Sequence, residues 1–276
     1  ARVAGGRAEV TNLTPAGTEP HDLELTPRQV DQLEDADLVL YLGGGFQPAL
    51  EKVASRRKGA KVDLLQALPL EKGAVEAGEA EEAEEHAAEE AGGKQGAKEE
   101  AGLDPHFWLD PALMDKAVER IQQALVEARP EGRAEFERNA ATYRAELAEL
   151  DGRYRTALST CRRKELVTSH AAFHYLAKRY GLSQEPIAGL SPEAEPDPRR
   201  LAELTDLVRR RNATTIFYET LVSPEVAETL ARQTGTKTAV LNPLEGLTSE
   251  QVEKGASYVS VMDENLTALK DALACR

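Results

Sequence analysis

Short apolar runs and stretches of helical periodicity alternate along most of the chain. Ala8-Glu9-Val10-Thr11-Asn12-Leu13 reads as a first strand, ended by the turn residues Thr14-Pro15-Ala16-Gly17. Thr26-Pro27 opens a helix with proline at its first position, and Val30, Leu33 and Ala36 follow on one face. Leu38-Val39-Leu40-Tyr41-Leu42 predicts a buried strand, closed by Gly43-Gly44-Gly45. From Pro130 to Ser159, Phe136, Tyr143, Leu147, Leu150 and Tyr154 recur at helical spacing without an internal proline, predicting one rigid helix about 40 Å long. A second series of strands starts at Glu165-Leu166-Val167-Thr168-Ser169 and continues at Thr214 to Tyr218 and Thr238 to Leu241.

The pattern predicts an α/β protein of two lobes with parallel sheets, joined by the long helix. The expected divisions are a first lobe over 1–129, the linking helix over 130–160 and a second lobe over 161–276. Residues 71–100 interrupt the first lobe with Glu, Ala, Gly and Lys and almost no large apolar side chain, which predicts a mobile acidic loop.

Composition narrows the function. The chain has 276 residues, 34 Lys and Arg against 48 Asp and Glu, and a net charge of -14, which opposes a phosphate-binding surface and excludes nucleic acid as a partner. The basic runs at 56–58 and 209–211 read as solvated helix faces. No apolar stretch reaches the roughly 20 residues that span a bilayer, and Ala1 to Gly6 lacks the apolar core of a secretion signal. Cys161 and Cys275 permit either one disulfide or two buried thiols.

Three of the five histidines lie at the end of a predicted strand or in a loop: His21, His106 and His170. Ligands of open parallel sheets bind beyond the carboxyl ends of the strands. Three imidazoles at such points favour a nitrogen-rich metal site, with zinc the matching ion. His174 stands four residues after His170, a spacing that can chelate when both lie on one helix face. No glutamate adjoins the first of the pair to act as a hydrolase's general base, so His174 reads as a helix residue. His86 falls in the acidic run and reads as solvated.

The segments from Thr14 to Asp22 with Leu25-Thr26-Pro27, Asp104 to Pro111, and Thr168-Ser169-His170-Ala171-Ala172-Phe173 together resemble the successive motifs of the zinc and manganese substrate-binding proteins of ABC transporters, of the zinc-uptake type. The similarity extends to the ending Asn242-Pro243-Leu244-Glu245-Gly246-Leu247. The resemblance implies a metal-binding cleft between two lobes, extracytoplasmic capture of Zn²⁺ without enzymatic turnover, and delivery to ABC permease subunits. A monomer is expected, with a metallochaperone as a further possible partner. A manganese-binding or adhesin-type member of the same fold is the alternative, and a metallohydrolase a more distant one.

The same resemblance puts ligands at His21, His106 and His170. Manganese-selective relatives commonly have Glu at the third position, so the imidazole of His170 moves the preference toward zinc. The fourth position is open among Asn242, where the family often has Asp, Glu19, Glu219 and water. Glu219 reads better as an acceptor orienting a histidine, and Glu19 equally well as a surface acid. The family also implies a disulfide between Cys161 and Cys275, as expected of a protein folded outside the cytoplasm, in the periplasm or lipid-anchored at the cell surface. Relatives carry an apolar strand and most of a helix before the segment matching Ala1 to Val10, so the chain reads as lacking them, together with any signal or anchor, and a gap in the first sheet is expected.

Overall fold

The computed structural model describes residues 1–70, 103–190 and 198–276. The acidic run of 71–100, with His86, lies outside the described residues.

Two parallel sheets form among the described residues. The first joins β1 (Leu38–Tyr41) to β2 (Ala60–Asp63) in the register Leu38↔Ala60 to Tyr41↔Asp63, with helix Pro48–Arg56 crossing between them. The second has the order β4-β3-β5-β6, formed by Ser183–Pro186, Glu165–Thr168, Thr215–Tyr218 and Lys237–Val240. Parallel pairing demands helical crossovers, and Pro198–Arg211 and Glu225–Thr234 supply them in the second sheet.

The strand expected over 8–13 does not form. Val10 is 53% exposed, and no ladder among the described residues includes this segment. Without a partner or a buried face, β-branched composition alone does not make a strand. Conversely, β2 and β4 are strands that periodicity missed. Each is four residues long with at least half its residues polar or charged, and its pairing rather than its apolar content defines it.

Arg133–Ser159 is a single helix of 27 residues. Its buried positions, Phe136, Ala140, Tyr143, Leu147, Leu150, Tyr154 and Leu158, recur every three or four residues and make one continuous stripe. The N-terminal half of this stripe packs with Val3, Val118 and Val126. Its C-terminal half joins a larger core reaching from Phe46, Leu65 and Trp108 to Phe173, Phe217, Leu241 and Met262. Tyr154 donates to the Met262 carbonyl oxygen at 2.6 Å, which satisfies the hydroxyl at the centre of that core. The helix therefore fixes the two sheets relative to one another, and the loops at their carboxyl ends meet in the cleft.

Cys161 and Cys275 form a disulfide. The chain end is also tied by Arg163 N–H donating to the Leu273 carbonyl at 3.1 Å, and by the Thr160 hydroxyl donating to the Arg276 carbonyl at 2.9 Å.

Candidate metal centre

Five loops converge on the cleft. His170 follows β3 in an extended conformation, with its carbonyl accepting from the Thr168 hydroxyl and the Gln184 amide, both at 2.8 Å. Glu219 follows β5, the strand beside β3, so the sheet itself brings its carboxylate to His170 Nδ1 at 2.6 Å. His106 lies in Asp104-Pro105-His106, where one oxygen of Asp104 accepts both from the His106 backbone at 2.9 Å and from its Nδ1 at 2.8 Å. The next residues form a short 3-10 turn, and Asp110 caps the helix Pro111–Ala128 by accepting from Ala112 N–H at 2.7 Å. His106 is thus held between a loop clamp and a helix start.

His21 comes from an irregular loop. Glu19 accepts from the His21 backbone at 3.2 Å, and Gly17 N–H crosses the cleft to the Leu247 carbonyl at 2.8 Å. The chain packs tightly there at Gly246, where a Cβ would stand 3.3 Å from the Thr18 carbonyl oxygen and 3.0 Å from Leu221 Cδ1.

The fourth group is Glu245, which follows β6. Asn242 accepts from Leu244 N–H at 2.8 Å through its side chain and is itself held by Asn265 through two bonds of 2.8 and 2.7 Å. Leu244 adopts a left-handed φ of 58°. The resulting turn drives the Glu245 carboxylate inward until its side chain is 1% exposed. Glu245 Oε1 then lies 2.8 Å from His106 Nε2, 3.1 Å from His170 Nε2 and 3.5 Å from His21 Nε2. His106 Nε2 and His170 Nε2 are 3.4 Å apart. One donor atom from each of the four residues lies within 4.8 Å of the others, an arrangement able to hold a metal ion.

The carboxylate that lies among the three imidazoles is Glu245, and Glu19, Glu219 and Asn242 stand outside this four-residue group. Glu219 and Asp104 grip the far nitrogens of two histidines, Glu19 grips a backbone, and Asn242 shapes the turn. The sequence carried a usable signal for Glu245: an acid just past a strand's carboxyl end in an Asn-Pro-Leu-Glu-Gly turn, the same positional rule that selects His170. His174 starts the helix His174–Tyr180 after a 3-10 turn at Ala171–Phe173, so it shares no helix face with His170, and it lies outside the four-residue group.

With Nδ1 of His106 and His170 donating to carboxylates, both Nε2 atoms face Glu245 as lone pairs unless a proton or another cation intervenes. Burial opposes charge on His170, but the charge and hydrogen bond of Glu219, followed by those of Glu245, outweigh it and raise the imidazolium pKa to about 10. His106 is raised against the same burial by its bonds to Asp104 and Glu245. Burial likewise pushes the Glu245 carboxyl up, yet the hydrogen bonds of His106, His170 and His21 hold it well below the usual range. Glu19 goes the other way, to about 7, through burial and the nearby Glu245 charge. The cluster is one that demands positive charge at its centre.

These features define a two-lobed α/β protein with a His₃Glu cluster in the cleft between parallel sheets. The sequence matches the family of the periplasmic zinc-uptake complex component A, ZnuA, over residues 1–272, and the chain belongs to that family. It is 38% identical over 275 residues to the high-affinity zinc uptake system protein ZnuA of Bacillus subtilis, covering 99% of this chain and 83% of that protein. It is 41% identical over 273 residues to the zinc-binding lipoprotein AdcA of Streptococcus pneumoniae, covering 98% of this chain and 52% of the relative, and so spans about half of AdcA. The crystal structure of the Zn(II)-bound ZnuA-like domain of that AdcA superposes with a TM-score of 0.77 at 38% identity, over 99% of this chain and 93% of the domain. No helix among the described residues is long and apolar enough to cross a membrane.

Proposed function

We propose that the protein captures Zn²⁺ outside the cytoplasm, on His21, His106, His170 and Glu245, and delivers it to an ABC permease for import. The convergence of three Nε2 atoms and one carboxylate oxygen carries this reading. Zn²⁺ bonds of about 2.0 to 2.1 Å in a tetrahedron separate the ligand atoms by about 3.3 Å. The separations of 2.8 to 3.5 Å around Glu245 and 3.4 Å between the His106 and His170 nitrogens need only small adjustment to match. Imidazole-rich coordination favours zinc over manganese. Four protein donors leave no open position for a water nucleophile, which supports binding and release without hydrolysis.

The test is uptake. In cells lacking their own zinc-binding subunit, the chain carrying an export signal should restore growth under zinc limitation, provided the cognate permease is present. Purified protein should bind one Zn²⁺ per chain. Absence of stoichiometric binding would overturn the reading at the site, and binding without restored uptake would overturn delivery.

Loading must displace protons. In the metal-free protein the raised His170 pKa contributes stability that is complete below the ordinary histidine value of about 6.5 and is lost as pH rises toward about 10. Zinc needs the unprotonated nitrogen, so its stabilising increment changes in the opposite sense. Melting curves with and without one equivalent of zinc should diverge further at about pH 8 than at about pH 6. An increment independent of pH would count against imidazole ligation.

Asp104 and Glu219 are expected to act through the histidines they hold. Asp104→Asn and Glu219→Gln should each weaken zinc binding roughly 10- to 100-fold, the usual cost of losing an outer partner of a metal ligand. Chelator competition measures this, and unchanged affinity in both variants would reject the assignment.

A further inference from the structure

The three histidines are not held alike. His106 and His170 are buried, with Nδ1 fixed by Asp104 and Glu219. His21 has a side chain 13% exposed, and among the described residues no carboxylate holds its Nδ1. The group packed on its ring is Phe46, edge to face, with centroids 4.5 Å apart and planes at 68°. Phe46 also meets the His106 ring at 6.2 Å and the Trp108 ring at 5.6 Å.

Phe46 reaches this place through a constrained turn. Asp63 accepts from Gly43 N–H at 3.0 Å so closely that a Cβ at Gly43 would overlap its carboxylate. Gly44 and Gly45 take φ values of 71° and 89°, which side-chain-bearing residues rarely adopt. Gly45 N–H donates to Glu51 at 2.7 Å, and the chain then delivers Phe46 to the cleft at 6% exposure. Phe46 belongs to the large core with Leu65 and Trp108. A rigid ring anchored in that core therefore stands against the one histidine that lacks a polar clamp.

We infer that Phe46 is the positioning residue for His21, setting the orientation of its ring in the metal site as Asp104 and Glu219 do for His106 and His170. This rests on the metal-site reading above. A packed aromatic ring restricts rotation of the imidazole without competing for its protons, so His21 can be oriented while its side chain stays 13% exposed. Its contribution to zinc affinity should then be transmitted wholly through His21.

A double-mutant cycle tests this with Zn²⁺ itself as the probe. Phe46→Leu keeps apolar bulk and removes the ring. It should weaken zinc binding roughly tenfold, the low end for a group that orients a metal ligand. In a His21→Ala background the same substitution should have no further effect. Melting of each metal-free variant separates loss of packing from loss of positioning, and Phe46→Met supplies a second ring-free side chain if Phe46→Leu does not fold. An equal loss of affinity in both backgrounds, or none in the wild-type background, would overturn the inference while leaving the metal site standing. Unchanged binding in His21→Ala alone would overturn the site reading and this inference with it.

Discussion

Glu245→Gln is expected to lower zinc affinity by at least about a hundredfold, or about 2.8 kcal/mol. The substitution keeps the size of the side chain and the turn that carries it. It removes the one negative charge placed among three imidazole nitrogens at 2.8, 3.1 and 3.5 Å. The loss should exceed that of outer partners such as Glu219, whose carboxylate touches only the far nitrogen of His170. Glu19→Gln provides the contrast. Its carboxyl is pushed up to about 7 and its nearest bond is to a backbone N–H, so its loss should change affinity by less than about tenfold. Competition against a chromophoric chelator ranks the two variants. If Glu19→Gln proved the more damaging, Glu245 would not be the fourth ligand. The removed charge should also be felt by the metal-free protein, because Glu245 helps hold the raised pKa values of both His106 and His170.

The second large effect concerns stability. Cys161 and Cys275 close a loop with a sequence separation of 114. In the chain-entropy account a loop of this length restricts the unfolded chain by about 4.7 kcal/mol. Cys161→Ser with Cys275→Ser should therefore lower the melting temperature by roughly 10 °C, given the 2 to 4 °C per kcal/mol typical of chains approaching this size. Zinc affinity should hold, since the disulfide joins the end of the long helix to the chain terminus and neither cysteine touches the four-residue group. Thiol titration of the unreduced, denatured protein should find no free thiol. Two free thiols per chain, or a melting temperature unmoved by the double substitution, would reject the stabilising role.

Much of the scaffold was legible because its elements carry their own signals. The stripe from Phe136 to Leu158 repeats at helical spacing over 27 residues without a breaker, and a long amphipathic helix is what local preference and burial both demand. β1, β3 and β5 read as strands because they are dense in Val, Ile, Leu, Phe and Tyr. β2 and β4 did not, because Ala-Lys-Val-Asp and Ser-Gln-Glu-Pro become strands only through the neighbours they pair with. The segment 8–13 failed in the opposite direction, with β-branched residues and no neighbour to pair with.

For the site, the inventory is written in the chain: three loop histidines, and a surplus of acids from which partners are drawn. Imidazole chemistry makes a nitrogen-rich metal centre the natural use of that inventory. Which acid joins them was a tertiary decision. Glu19 is two residues from His21 and Glu245 is 224 away, yet Glu245 enters the cluster because β6 lies beside β5 and the left-handed Leu244 turns the chain inward under the clamp of Asn242 and Asn265. Hydrogen bonds formed across the fold, and the strand order that makes them possible, have no counterpart in local spacing. Residue types therefore carry the chemistry of the site, while the role of each acid depends on contacts between segments far apart in the chain.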